Sequence, residues 1–198
     1  MQARSEETRT HILDAAYRLF SQEGYDATGV AELCAAAGVS KGAFYHHFPS
    51  KQAVFLALLE TWLEHLDHAF AAARQSASSV EQAVVNMAGM AGSVMNSTDV
   101  HPVILLEFWM QAYREPAVWQ AAMAPYRRYQ RYFGSLVEDG IAEGSLRQVD
   151  PDLAGRVLVS LALGLLMQAV FDPQAIDLAH EARQSLEILM NGLGRRMV

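Results

Sequence analysis

The stretch that most constrains this chain is Val30 to Lys51, VAELCAAAGVSKGAFYHHFPSK, because it reads as two short helices meeting at a glycine. Leu33, Cys34 and Ala37 give the first a small-residue face. Gly38 supplies a turn requiring positive φ, and Ser40 caps a second helix through about His47. That pattern is a helix-turn-helix. Its second helix offers Lys41, Gly42, Ala43, Tyr45 and His46 near the N-terminal end, a mix of backbone approach, hydroxyl and cation suited to groove and phosphate contacts.

The only two lysines of the chain, Lys41 and Lys51, each follow a serine that reads as an N-cap, Ser40 and Ser50. A lysine in the first helical turn faces the positive end of the helix dipole, which costs about 0.3–1 kcal/mol unless an anion reverses the sign. Two such lysines point to helix ends built to hold a phosphate, on which orphan backbone N–H groups also converge.

From Ile12 to Leu58 the sequence resembles the TetR transcriptional regulators, with GYDATGVAELCAAAGVSKGAFYHHFPSK carrying the match. The resemblance implies an all-α fold. A three-helix helix-turn-helix domain, residues 1–52, precedes a helical ligand-binding and dimerisation domain, residues 53–198, with about nine helices in all. By motif position the implied DNA contacts are Thr28, Lys41, Gly42, Tyr45, His46, His47 and Lys51. Gly29 departs from the family's usual Ser or Thr, so the cap and phosphate contact opening the second helix fall to Thr28.

Net charge is −7, which ordinarily counts against nucleic-acid binding, but its distribution matters more. Residues 1–52 hold five basic and six acidic groups, the remainder ten and sixteen, and Gly38 to Lys51 has no acidic residue. The binding face is locally positive on an acidic body. A single cysteine, Cys34, excludes an internal disulfide and fits a cytoplasmic protein. MQARSEETRTH lacks the apolar region of a targeting signal, and the longest apolar run, Val157 to Met167, is too short for a bilayer.

Beyond the motif the chain punctuates into helices. The fourth starts at Ser50 and ends at QSASS; a fifth covers roughly 79–96, and a sixth runs from His101 or Pro102 to Arg114. The seventh runs from Pro116 to Gly144, the eighth from Asp150 to Asp172, and a ninth bears Ala182, Leu186 and Leu189. Small residues on the eighth allow close approach, and Leu161, Leu165, Leu186 and Leu189 are the expected homodimer contacts.

If the family pattern holds, the fifth to eighth helices enclose an effector pocket. Its candidates are Met87, Met90, Glu107, Phe108, Trp109, Met110, Tyr113, Met123, Tyr126, Tyr129 and Met167, since methionine and aromatics form adaptable apolar cavities. Glu107, in the apolar run VILLEFWMQAY, needs a partner: Arg127, Arg128 or Arg131 structurally, or a cationic ligand.

Two enzymatic or metal readings fail. Gly38 to Gly42 satisfies the G-x-S-x-G of serine hydrolases, but the preceding AELCAAA is helical where that chemistry needs a strand. Glu64, His65 and His68 share a helix face, but the H-E-x-x-H pattern is absent. The expected protein is a non-enzymatic regulator without metal or cofactor, whose partners are double-stranded operator DNA, a small-molecule effector and a second copy of itself.

Overall fold

The computed structural model describes residues 2–90, 102–172 and 177–193. Among the described residues the chain is all-α. Its helices are α1 (Gln2–Glu23), α2 (Val30–Ala37), α3 (Lys41–His47), α4 (Lys51–Gln75), α5 (Val80–Gly89), α6 (Pro102–Arg114), α7 (Pro116–Glu143), α8 (Pro151–Phe171) and α9 (Leu178–Leu193). The part of the fifth helix expected beyond residue 90 lies outside the described residues.

Local chemistry sets the boundaries. Ser40, Ser50 and Ser79 each accept a hydrogen bond from the amide three residues on, Ala43, Ala53 and Gln82, and Asp150 accepts from Asp152 and Leu153. Each cap satisfies a donor the first turn cannot. Gly24, Gly38 and Gly144 take positive φ of 85°, 67° and 83° where α1, α2 and α7 stop, a conformation that only glycine adopts without strain.

The described helices cluster into two compact units, residues 1–64 with 98–119, and residues 65–97 with 120–198. The first unit groups α6 and the start of α7 with the helix-turn-helix. In the first unit α1 packs on α2, α3 and α6. Ile12, Phe20, Leu33, Phe44 and Phe55 are fully or almost fully buried there. Tyr25 joins Phe20 and Phe55 in an aromatic trio with ring centroids 4.6 to 5.7 Å apart.

In the second unit α5 packs on α9, and α9 on α8. Val80, Val84, Met87, Phe133, Val137, Leu158 and Met190 form its core. There α7 and α8 meet backbone to backbone: a Cβ added at Gly155 would lie 2.5 Å from the Gln130 carbonyl oxygen and 2.7 Å from the Gly134 nitrogen. The Glu143 carboxylate, at the end of α7, accepts from the Val80 amide and the Ser145 hydroxyl, both at 2.7 Å. It caps α5 from another element, and those donors hold its pKa below the usual glutamate value.

Candidate nucleic-acid interface

The recognition helix α3 is seven residues long and anchored by one face. Phe44 is fully buried and Phe48, which follows the helix, nearly so. The rings of Phe44 and Tyr45 meet edge to face at 5.3 Å, and the Arg9 guanidinium lies 5.5 Å from the centre of the Phe48 ring. With that face fixed, Lys41, Gly42, Tyr45 and His46 are exposed and His47 is half-buried. Five of the seven expected DNA contacts are thereby brought together on one small helix.

The other two are placed differently. Thr28 is buried, and its hydroxyl donates to the Gly24 carbonyl at 2.8 Å, so it neither caps α2 nor faces outward. The cap position belongs to Gly29, whose amide donates to the Glu32 carboxylate at 2.6 Å. Lys51 is committed as well. Its ammonium donates to the carbonyls of Tyr25 at 2.6 Å and Thr28 at 2.8 Å and stands 4.2 Å from the centre of the Tyr25 ring. Burial lowers its pKa, with Asp26, Glu107 and Glu32 opposing that shift. Nothing local in the sequence signals this, because the carbonyls lie 26 and 23 positions away.

The effector candidates divide between the units. Met87 is in the second unit's core, and Met90, Tyr126 and Tyr129 pack against it. The Tyr129 hydroxyl donates to Asp67 at 2.8 Å, and Arg128 pairs with Asp67 at 2.8 Å. Burial and that carboxylate raise the Tyr129 pKa well above the usual tyrosine range. Met123 and Met167 are half-buried in the same unit.

Glu107, Phe108, Trp109, Met110 and Tyr113 belong to the first unit. Trp109 is half-buried, while the Phe108 side chain lies outside the described residues. Met110 and Tyr113 are 50% and 90% exposed. The Glu107 carboxylate faces Gly24, 3.0 Å from where a Cβ would stand. Beside it on α6, Gln111 donates to Asp26 at 2.8 Å and Arg114 reaches the same carboxylate at 3.4 Å.

The second unit also holds a groove of about 680 Å³ between the end of α4, α5 and α9, with Gln82, Asn86, Met90, Arg183 and Glu187 in its wall. Only Met90 among these was a sequence candidate, because α9 read as a dimerisation helix.

Of the four expected dimer contacts, Leu165 is buried within the chain and Leu161, Leu186 and Leu189 are half-buried. Leu165 is buried with Ala88, Leu178 and Ala182, and Leu161 packs on that cluster. Leu186 and Leu189 pack on the main core. Among the described residues, the large apolar side chains exposed on these helices are Leu153, Val157, Phe171 and Ile188. Helix α8 is 21 residues long with a mean hydropathy of 1.8 over its most apolar 18-residue window, of which 22% is buried. By length and composition it is sufficient to cross a membrane, a correction to counting only the run Val157 to Met167.

Comparison with known proteins matches this geometry. Residues 12–58 match the bacterial regulatory proteins of the tetR family, and residues 93–194 match the C-terminal domain of BetI-type transcriptional repressors. The chain belongs to the TetR family. It is 26% identical to the transcriptional regulator UidR of Escherichia coli K12 over 98% of this chain and 96% of that protein. Over 56 residues it is 50% identical to the regulator AcrR of Shigella flexneri, across 28% of this chain and 26% of that protein. The fold is that of a transcriptional regulator from Saccharomonospora viridis solved with choline, at a TM-score of 0.84, 21% identity and coverage of 96% of this chain and 100% of that one. A TetR-family helix-turn-helix makes this a DNA-binding transcriptional regulator, in a family of regulators rather than enzymes.

Proposed function

We propose that this TetR-family regulator is a cytoplasmic repressor that binds a palindromic double-stranded operator as a homodimer and leaves it on binding a mainly apolar or aromatic small molecule. The observation that carries the DNA contacts is the exposed face of α3, where Lys41, Gly42, Tyr45 and His46 stand together, with His47 at its edge, in a segment without an acidic residue. Lys41 serves phosphate, and Tyr45 and His46 serve base edges and the sugar-phosphate backbone. In a dimer two such helices enter successive major grooves about 34–36 Å apart.

The exposed apolar residues of α8 and α9 support dimerisation. Leu153, Val157 and Phe171 follow one another along one side of α8, and an apolar face of this kind calls for cover. Asp150, Asp152 and Arg156 in its first turns favour a protein partner over a bilayer. For the effector, the supporting observation is Trp62, whose buried indole N–H has no hydrogen-bond partner among the described residues and is a donor that a ligand can use.

Selection of DNA from a random pool by the purified protein tests the first part: an enriched inverted repeat is expected, and no enrichment refutes it. Screening apolar, aromatic and quaternary-ammonium compounds, with choline among the first because the Saccharomonospora regulator holds it, tests the second. An effector is expected to raise the melting temperature and release DNA, with a changed response in Trp62→Phe. A screen in which nothing does either removes effector control.

A further inference from the structure

We infer that Lys51 is a positioning residue for the helix-turn-helix, acting by fastening the Tyr25–Thr28 loop to the start of α4 rather than by touching DNA. The inference rests on the DNA-binding reading and departs from the contact that motif position implies. An ammonium has three donors. Two are spent on the Tyr25 and Thr28 carbonyls, and its remaining surface covers the Tyr25 ring.

The loop depends on that cation. Between the end of α1 and the start of α2 its carbonyls lack ladder partners, and they are satisfied individually. The Gly24 oxygen receives the Thr28 hydroxyl, and the Tyr25 and Thr28 oxygens receive Lys51. The same loop delivers the chain to Gly29, which opens α2, and α2 packs on α3. Removing the ammonium leaves two carbonyls without a donor and frees the segment that fixes where the recognition helix begins.

The two roles separate in how affinity is lost. A phosphate contact contributes to every DNA sequence and adds about 0.9 to the salt slope. A positioning residue contributes to operator alone. Lys51→Met is therefore expected to weaken operator binding by about tenfold or more while leaving binding to random-sequence DNA and the slope of log K against log salt unchanged. Lys51→Arg keeps the charge, but its planar fork does not replace a compact ammonium between two carbonyls, so it should lose operator discrimination too.

A uniform loss on all DNA with the slope reduced by about 0.9, or full rescue by arginine, overturns the proposal. Hydrogen exchange read without DNA separates its failure from that of the DNA-binding reading. Amides of residues 25–33 should exchange faster in both variants than in the parent, and unchanged protection also overturns it. If Lys51→Met does not fold, the arginine variant carries the same three measurements.

Discussion

Replacing Gly155 with alanine adds one methyl group at the point where α8 lies on α7, and the structure fixes what that methyl meets. Its Cβ would stand 2.5 Å from the Gln130 carbonyl oxygen, 2.7 Å from the Gly134 nitrogen and 3.1 Å from the Gly134 Cα, all backbone atoms that no rotamer change can move. Ordinary contact begins near 3.4 Å, so the helices must part by about 0.9 Å. A gap of that size forfeits a quarter to a half of each pairwise dispersion well along the seam. Leu158 and Val159 belong to the same core cluster as Phe133 and Val137. A buried leucine makes 40–60 contacts of about 0.1–0.2 kcal/mol, so losing a quarter of one such side chain costs about 1–3 kcal/mol. Overpacked cores lose about the same.

The expected result is a loss of about 2 kcal/mol, lowering the melting temperature by about 4–8 °C in a chain of this size. Calorimetry and urea denaturation followed by circular dichroism measure it. Gly192→Ala is the control, because nothing lies within 4 Å of its Cβ position, and it should leave stability within about 0.5 kcal/mol. If Gly155→Ala matches that control, backbone proximity does not limit the α7–α8 packing.

Other outcomes follow from the same geometry. Lys41→Ala should weaken binding to operator and random DNA alike and lower the salt slope by about 0.9; an unchanged slope in a binding titration would remove Lys41 from the phosphate contacts. Val157→Glu, on the exposed side of α8, should shift sedimentation from dimer to monomer with the helical content intact, and a wild-type monomer at micromolar concentration would dismiss the interface. Glu143 has a folded pKa below its unfolded value, so its contribution is present above the unfolded pKa near 4.5 and fades as pH falls through the lower folded pKa. Glu143→Gln should then reduce stability at neutral pH and flatten its decline below about pH 5, an effect kept small by exposure and read by pH-dependent urea melts.

The helix-turn-helix was legible because its signals are local. Ser40 and Gly38 each act within a few residues, and the structure places the cap and the left-handed glycine where those rules put them. The hydrogen bonds of Lys51 were not legible, because a lysine after an N-cap looks the same whether its charge faces solvent or two carbonyls far back in sequence. The place of Glu107 beside Gly24 was hidden for a similar reason: it is set by where α6 packs on α1. The face of α8 had no readable phase. A helix apolar on every side carries no stripe, so the sequence does not show that Leu165 is buried within the chain while Val157 stays exposed.

Seven residues make α3 about 10 Å long at 1.5 Å per residue, which matches about three base pairs at a rise of 3.4 Å. Three fully read positions distinguish only about 64 sequences, against the 10⁶ or more competing sites of a genome. Two half-sites with a fixed spacing raise that to about 4,000, still short. For the proposed dimer, most of the information that picks out its target must therefore lie in the distance and symmetry between two copies and in how readily the intervening DNA deforms, and comparatively little in the letters under each helix.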